Sequence, residues 1–182
     1  MIRMKQIVQL RGRQIDYVQT EELKAKLRHL RNRRHPFYLT AKEFEEIIKW
    51  KFGQRARRPR CRRAANTDKI IRAVTGLALT ITHPDKDCEL ELRVSILSAL
   101  RGVSILLASA VLALTFPDEY AVIDFRVWRR LFGQQKYAFS VSDYRRYMHA
   151  MRRLAGQLNW PVQEVDHAIW EYDRRKSNAP WP

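Results

Sequence analysis

The sequence contains few of the residues that build disulfide frameworks, metal clusters or repetitive fibres. Its 182 residues include only two cysteines, Cys61 and Cys88, which is too few for a disulfide-rich scaffold or for a zinc site made by cysteines alone. The five histidines show no metal-ligand spacing, so we expect neither a bound metal nor a cofactor. Six glycines and seven prolines exclude a collagen-like or low-complexity chain.

The chain also has no apolar run long enough to cross a bilayer. Its most apolar stretch, residues 102–117, is shorter than the ~20 residues that a membrane-spanning helix needs. The first residues, Met-Ile-Arg-Met-Lys-Gln, contain no apolar segment of signal-peptide length. We therefore expect a cytoplasmic protein with reduced thiols and no membrane partner.

Acidic residues are scarce relative to basic ones. The chain has 35 Lys and Arg against 19 Asp and Glu, a formal net charge of +16, and residues 1–63 alone account for +13 of it. A domain this basic binds phosphate polyanions more often than neutral metabolites, although a solvated surface is the alternative for any one charged segment. The densest segment, residues 55–63, contains only arginine as a charged residue type: Arg55, Arg57, Arg58, Arg60, Arg62 and Arg63. Their planar guanidinium groups match the geometry of phosphate.

Apolar residues recur at helical spacing along nearly the whole chain, which predicts an all-α protein: a compact bundle of about eight helices without a sheet. Residues 104–116 carry no charge, so this helix should be buried on all sides. Thr40 and Glu43 predict a capping box for a helix that ends at Gly53. The other predicted helix starts are at Thr20, Asn66 or Thr67, Asp87, Asp124, Ser142 and Pro161. We expect one compact domain, with a basic N-terminal helical region over 1–63 and a helical core over 64–182.

Residues 100–133 resemble the core of the helix-hairpin-helix DNA glycosylases, the superfamily of endonuclease III and of the adenine and 8-oxoguanine glycosylases. Its pattern is a Leu-Pro-Gly-Val-Gly hairpin, a buried helix of small residues and a loop ending in an Asp that opens another helix. Here the hairpin reads Leu-Arg-Gly-Val-Ser at 100–104, between helices that together span about 87–116, and the aspartate is Asp124. The small residues are Ala108, Ser109 and Ala110. Residues 38–51 and 165–172 also resemble an uncharacterised bacterial branch of this superfamily.

The resemblance implies a base-excision glycosylase of monofunctional type that binds duplex DNA and hydrolyses the N-glycosidic bond of a flipped, damaged base. Asp124 would be the catalytic carboxylate, because breaking this bond builds positive charge on the sugar. Strand-nicking members carry a Lys where this chain has Leu106. The four clustered cysteines of the superfamily's iron–sulfur cluster are missing, so no cluster is expected. We expect a monomer associated with the nucleoid.

The hairpin residues Arg101, Gly102, Val103 and Ser104 are expected to bind a DNA phosphate. A glycine permits close approach of the backbone, and the helix that follows presents free N–H groups. Arg126 and the arginines of residues 55–63 would add DNA contacts, while Trp50 and Lys51 could belong to a pocket for the base. Each assignment has a structural alternative: Asp124 as a helix cap, Gly102 as an ordinary turn, and Trp50 as a core residue.

Two further interpretations concern the C-terminal half. Trp128, Trp170, Tyr144 and Tyr147 are assigned to core packing. Asp166 and His167 are adjacent in sequence and so are expected on different faces of one helix, which argues against a catalytic dyad.

Two other function classes remain open beside the glycosylase. One is a non-enzymatic helix-hairpin-helix module that binds DNA, and the other is an RNA-binding factor, since arginine-rich loops suit RNA equally well.

Overall fold

A computed structural model describes residues 4–13, 15–53 and 65–177, and these ranges contain helices and no strand. The all-α prediction is confirmed, with a short N-terminal helix in addition to the expected eight. The nine helices of the described ranges are α1 (Met4–Val8), α2 (Tyr17–Arg33), α3 (Ala41–Phe52), α4 (Asp68–Thr80), α5 (Lys86–Ser98), α6 (Ile105–Thr115), α7 (Phe125–Phe132), α8 (Val141–Leu158) and α9 (Val162–Lys176).

Most helix starts follow from local capping signals. Thr40 and Glu43 form the predicted capping box, and Gly53 ends the helix that it begins. The Thr67 side chain accepts a hydrogen bond from the Ile70 N–H. These positions were predictable because the capping residue and its target lie within three residues of each other.

Two predicted starts are wrong. α2 begins at Tyr17, so Thr20 lies within its first turn, where the Thr20 hydroxyl accepts a hydrogen bond from the Trp50 indole. α8 is capped by Ser140 rather than Ser142: Ser140 Oγ accepts the Asp143 N–H, and the Asp143 side chain accepts the Ser140 N–H. In the first case a tertiary contact uses the hydroxyl that sequence alone assigns to a cap.

The uncharged helix α6 lies at the centre of the core. All of its residues from Leu107 to Thr115 are buried, as predicted, because α6 packs against α2, α3 and α5. A second layer forms around α9, which packs against α1, α7 and α8. The first helix therefore contacts the last, and the described part of residues 1–63 packs directly on the remainder of the chain. None of the helices within these ranges is long and apolar enough to span a membrane.

Residues 120–123, which precede α7, form an extended segment that is completely buried. We call it the 120–123 segment. Its backbone polar groups are bound mainly by side chains: the Ala121 carbonyl accepts from Tyr144, the Val122 N–H donates to Asp166, and the Ile123 N–H donates to Ser109 Oγ. Buried backbone groups require such partners. The segment is thus held by α6, α8 and α9, and it delivers Asp124 to the start of α7.

Candidate functional site

A cavity of about 140 Å³ opens where the last turn of α3, the residues before α7 and the N-terminal half of α9 meet. It is lined by Asp16, Trp50, Lys51, Val122, Asp124, Asp166, His167 and Trp170. Since a protein cavity of about 150 Å³ holds one benzene molecule, this one has room for a flat aromatic ring. Three residues that the sequence singled out, Trp50, Lys51 and Asp124, therefore lie at one cavity.

Asp124 is both a helix cap and a cavity residue. Its Oδ1 accepts the Arg126 N–H at 2.8 Å, which satisfies a donor of the first turn of α7. Its Oδ2 lies 3.4 Å from Lys51 Nζ. The two interpretations of this aspartate are thus compatible, because each carboxylate oxygen has a separate partner.

Two tryptophans form aromatic walls of the cavity. The Trp50 indole N–H donates to Thr20 Oγ1 at 2.9 Å, and the Trp50 ring lies 6.1 Å from the His167 ring. Trp170 packs against the core, as predicted, and its half-buried side chain also lines the cavity. Trp128 is in the core as predicted.

Asp166 and His167 were expected on different faces of their helix, but both line the cavity. The reason is that α9 is buried over a wide arc, since every residue from 165 to 169 is buried. Adjacent residues about 100° apart can then face the same cavity. Sequence reasoning missed this pair, although two polar residues between Val165 and Ala168 were a usable signal, since buried polar residues are uncommon.

Burial shifts the protonation of both groups in ways that reduce their charge. Burial raises the pKa of Asp166 to about 7, and the nearby Asp124 carboxylate adds to the rise, against hydrogen bonds from Tyr147 and Val122 and the charge of Lys51. Burial lowers the pKa of His167 to about 3, and the positive charges of Lys24 and Lys51 act in the same direction. At neutral pH the His167 imidazole is uncharged, and a substantial fraction of Asp166 carries a proton.

The turn between α5 and α6 has the backbone geometry of a tight hairpin. Gly102 adopts a φ of 76°, a conformation that favours glycine. The Asn66 side chain binds both backbone polar groups of Arg101: Oδ1 accepts the Arg101 N–H at 3.0 Å, and Nδ2 donates to the Arg101 carbonyl at 2.9 Å. Asn66 lies 35 residues from Arg101, so sequence reasoning could not detect this contact.

The four hairpin residues are not equivalent as candidates for phosphate binding. The N–H groups of Arg101 and Val103 donate to Asn66 and to the Leu100 carbonyl, and Val103 is buried. Arg101, Gly102 and Ser104 are exposed. The first helical hydrogen bonds of α6 are accepted by the Ser104 carbonyl, so the N–H groups of residues 104–106 precede the ladder and are the donors suited to an anion.

The remaining predicted DNA contacts differ in position. Arg126 is 5% exposed, and its Nη1 donates to Asp173 at 3.1 Å, so this guanidinium is bound within the protein and is left out of the proposed DNA-binding surface. Leu106 is half-buried on α6. Arg55, Arg57, Arg58, Arg60, Arg62 and Arg63 lie outside the described residues.

Within residues 4–13, 15–53 and 65–177, no group of three or more His, Cys, Asp or Glu residues could hold a metal ion. Comparison with known proteins adds no relative, since the chain matches no protein-family model, no curated protein and no solved structure.

Proposed function

We propose that this protein is a monofunctional DNA glycosylase of the helix-hairpin-helix type, which excises a damaged base from duplex DNA. The proposal is carried by the cavity that Asp124 shares with Trp50 and Lys51. These residues come from two distant parts of the chain. The resemblance to the superfamily assigns Asp124, and the aromatic ring of Trp50 and the positive charge of Lys51 suit a pocket for a base. The glycine hairpin between α5 and α6 supports the same conclusion.

The chemistry of the cavity suits a flipped base. Extruding a base from the stack costs a few kcal/mol, which stacking on aromatic side chains helps to offset. Trp50 and Trp170 supply aromatic surface, and His167 and Asp166 supply polar groups for the edge of the base. Asp124 would stabilise the positive charge that develops on the sugar or orient the attacking water.

The protein's charge distribution supports DNA as the partner. The surplus of +13 in residues 1–63 favours a polyanion, and association with DNA would place the protein on the nucleoid in the cytoplasm. Binding to duplex DNA should weaken with salt, with a log–log slope of about −0.9 for each phosphate contacted. Replacing Arg57, Arg58, Arg60 and Arg62 by Ala should flatten this slope by several units.

A matched control removes four positive charges outside residues 1–63, by changing the exposed residues Lys86, Arg145, Arg153 and Lys176 to Ala. The control should leave the slope nearly unchanged. Equal flattening by both sets would mean that only the total charge matters. Stronger competition by duplex RNA than by duplex DNA would favour the RNA-binding alternative.

The activity test uses duplexes that carry alkylated, deaminated or oxidised bases, followed by alkali to reveal abasic sites. The wild type should release at least one of these bases, and Asp124→Asn should not. Asp118→Asn, the same change at an exposed aspartate outside the cavity, serves as the control and should retain release. If no base is released while DNA binding is intact, the non-enzymatic DNA-binding module is the better description.

A further inference from the structure

The Asp166 carboxyl group connects α9 to α8 and to the 120–123 segment. Its Oδ2 accepts the Val122 N–H at 2.9 Å, and its Oδ1 lies 2.5 Å from the Tyr147 hydroxyl. Asp166 is 2% exposed and Tyr147 is completely buried. Asp166 therefore binds the backbone N–H of the residue that lies two positions before Asp124.

The hydrogen-bond pattern around Tyr147 favours a proton on Asp166. The Tyr147 hydroxyl also lies 3.1 Å from the Val122 carbonyl, but a hydroxyl has only one proton to donate. When Asp166 is protonated on Oδ1, it can donate to Tyr147, and Tyr147 can donate to the Val122 carbonyl. When Asp166 is ionised, Tyr147 must donate to Asp166, and the buried carbonyl loses the donor that the described residues provide for it. An unsatisfied buried carbonyl is unfavourable.

The charges around Asp166 act in both directions. Burial and the Asp124 carboxylate oppose ionisation, while the hydrogen bonds from Tyr147 and Val122 and the charge of Lys51 favour it, and the net effect is a raised pKa. The neighbouring His167 supplies no positive charge at neutral pH, because burial holds its pKa near 3. The titratable groups that face this region are Asp16 before α2, Lys24 on α2, Lys51 on α3, Asp124 before α7, Tyr144 and Tyr147 on α8, and His167 on α9.

We propose that Asp166 is a positioning residue that works in its protonated form: together with Tyr147 it holds the backbone N–H and the carbonyl of Val122 and so fixes the place of Asp124 in the cavity. The catalytic role of Asp166 rests on the proposed function, whereas its protonation in the folded protein does not. Ionisation would release the Val122 carbonyl and put a second negative charge beside Asp124. Base release should therefore fall about tenfold per pH unit above neutral pH.

Asp166→Asn reproduces the protonated acid without titrating. The amide oxygen can accept the Val122 N–H, and the amide nitrogen can donate to Tyr147. Asp166→Ala removes both interactions. Tyr144→Phe is the matched control on α8, because it removes a buried hydroxyl that binds the adjacent Ala121 carbonyl and leaves Asp166 untouched.

The test that is independent of activity is the unfolding of each protein in urea between pH 4.5 and 8.5. A raised pKa in the folded state means that stability is lost as pH rises from the unfolded value of about 4 towards the folded value of about 7. The folding constant of the wild type should fall relative to that of Asp166→Asn, by up to about tenfold per pH unit in this window. Tyr144→Phe should parallel the wild type. Parallel curves for the wild type and Asp166→Asn would overturn the proposal.

The second readout is the pH profile of base release. The wild type should lose activity above about pH 7, Asp166→Ala should be impaired at every pH, and Asp166→Asn should rescue release without the alkaline decline. An Asp166→Asn protein that is folded but as inactive as Asp166→Ala would overturn the positioning role. A wild type that releases no base contradicts the proposed function instead, and the unfolding curves then decide the protonation of Asp166.

Discussion

Lys51 Nζ lies 3.4 Å from Asp124 Oδ2, and both side chains are about nine-tenths buried. This pair joins the last turn of α3 to the N-cap residue of α7 across the cavity. Ion pairs in such surroundings gain little over an apolar pair, but removing one partner leaves a poorly solvated charge and typically costs about 3–5 kcal/mol. The candidate catalytic residue is therefore also a structural one, which matters for every variant made at this site.

The first prediction is a strong energetic coupling between these two residues. Lys51→Met and Asp124→Asn should each lower the free energy of unfolding by about 3–5 kcal/mol, because each leaves the partner's charge unpaired. The double variant should lose less than the sum, with a coupling of about 1–3 kcal/mol measured by urea unfolding. Additive losses would mean that the pair does not form in solution. Asp124→Asn must accordingly be checked for folding before its activity is interpreted.

The second prediction concerns the reaction type. Leu106 supplies no amine, and the Lys51 amine is engaged with Asp124, so the wild type should not be trapped on DNA by borohydride. It should instead leave abasic sites that are cleaved only after alkali treatment. The assay compares the wild type with Lys51→Arg, which keeps the charge but cannot form a Schiff base. Trapping of the wild type and not of Lys51→Arg would contradict a monofunctional enzyme and identify Lys51 as the nucleophile.

Helix positions and caps were predictable because they depend on short-range signals. The apolar spacing of α6 and the Thr40–Glu43 capping box are both readable within one segment of sequence. Local reasoning failed at Thr20, whose hydroxyl is used by Trp50 from another helix. A side chain that is suited to capping can instead bind a partner from another helix, and the local sequence does not show that partner.

The candidate site was only partly predictable for the same reason. Asp124 was predicted through the resemblance, and Trp50 and Lys51 were predicted from their residue types, without any spacing that relates the three. Asp166 and His167 were set aside because adjacent helical residues point in different directions. That reasoning holds for a helix with one buried face, whereas α9 is enclosed by α1, α7 and α8. Which residues of such a helix meet a cavity depends on how its neighbours are arranged.

The third prediction concerns Asp173, which lies on α9 two turns after Asp166 but has the opposite electrostatic character. Burial favours the neutral acid, but hydrogen bonds from Arg129, Arg130 and Arg126 outweigh it and lower the pKa of Asp173. Asp173→Asn should reduce the free energy of unfolding at pH 7 by about 2–4 kcal/mol, because three guanidinium groups of α7 lose their shared anion.

The pH dependence of this effect has a definite sign. A lowered pKa gives stability that is present above the unfolded value of about 4 and is lost as pH falls below it. The difference between the wild type and Asp173→Asn in urea unfolding should therefore shrink between pH 4 and pH 2. Asp118→Asn, at an exposed position, should show no comparable effect. A constant difference across this range would contradict the role assigned to the Asp173 charge.

The last prediction tests the hairpin through Asn66, whose side chain binds the backbone N–H and carbonyl of Arg101. Asn66→Ala removes two hydrogen bonds, each worth about 0.5–1.5 kcal/mol. If the hairpin binds a phosphate, its loss of order should weaken binding to undamaged duplex DNA by about tenfold, since 1.4 kcal/mol corresponds to that factor. The salt slope should stay the same, because no charged contact is removed. Affinity is measured by titration of labelled duplex at several salt concentrations.

Two other variants separate this effect from a general loss of stability. Gln157→Ala removes an exposed amide on α8 and should bind as the wild type does. Gly102→Asn keeps a residue that tolerates a positive φ, so the turn should persist while the added side chain obstructs the approach of a phosphate. Weakened binding by Asn66→Ala and Gly102→Asn with intact helix content would support a phosphate clamp, whereas wild-type affinity in both would mean that the hairpin only connects α5 to α6.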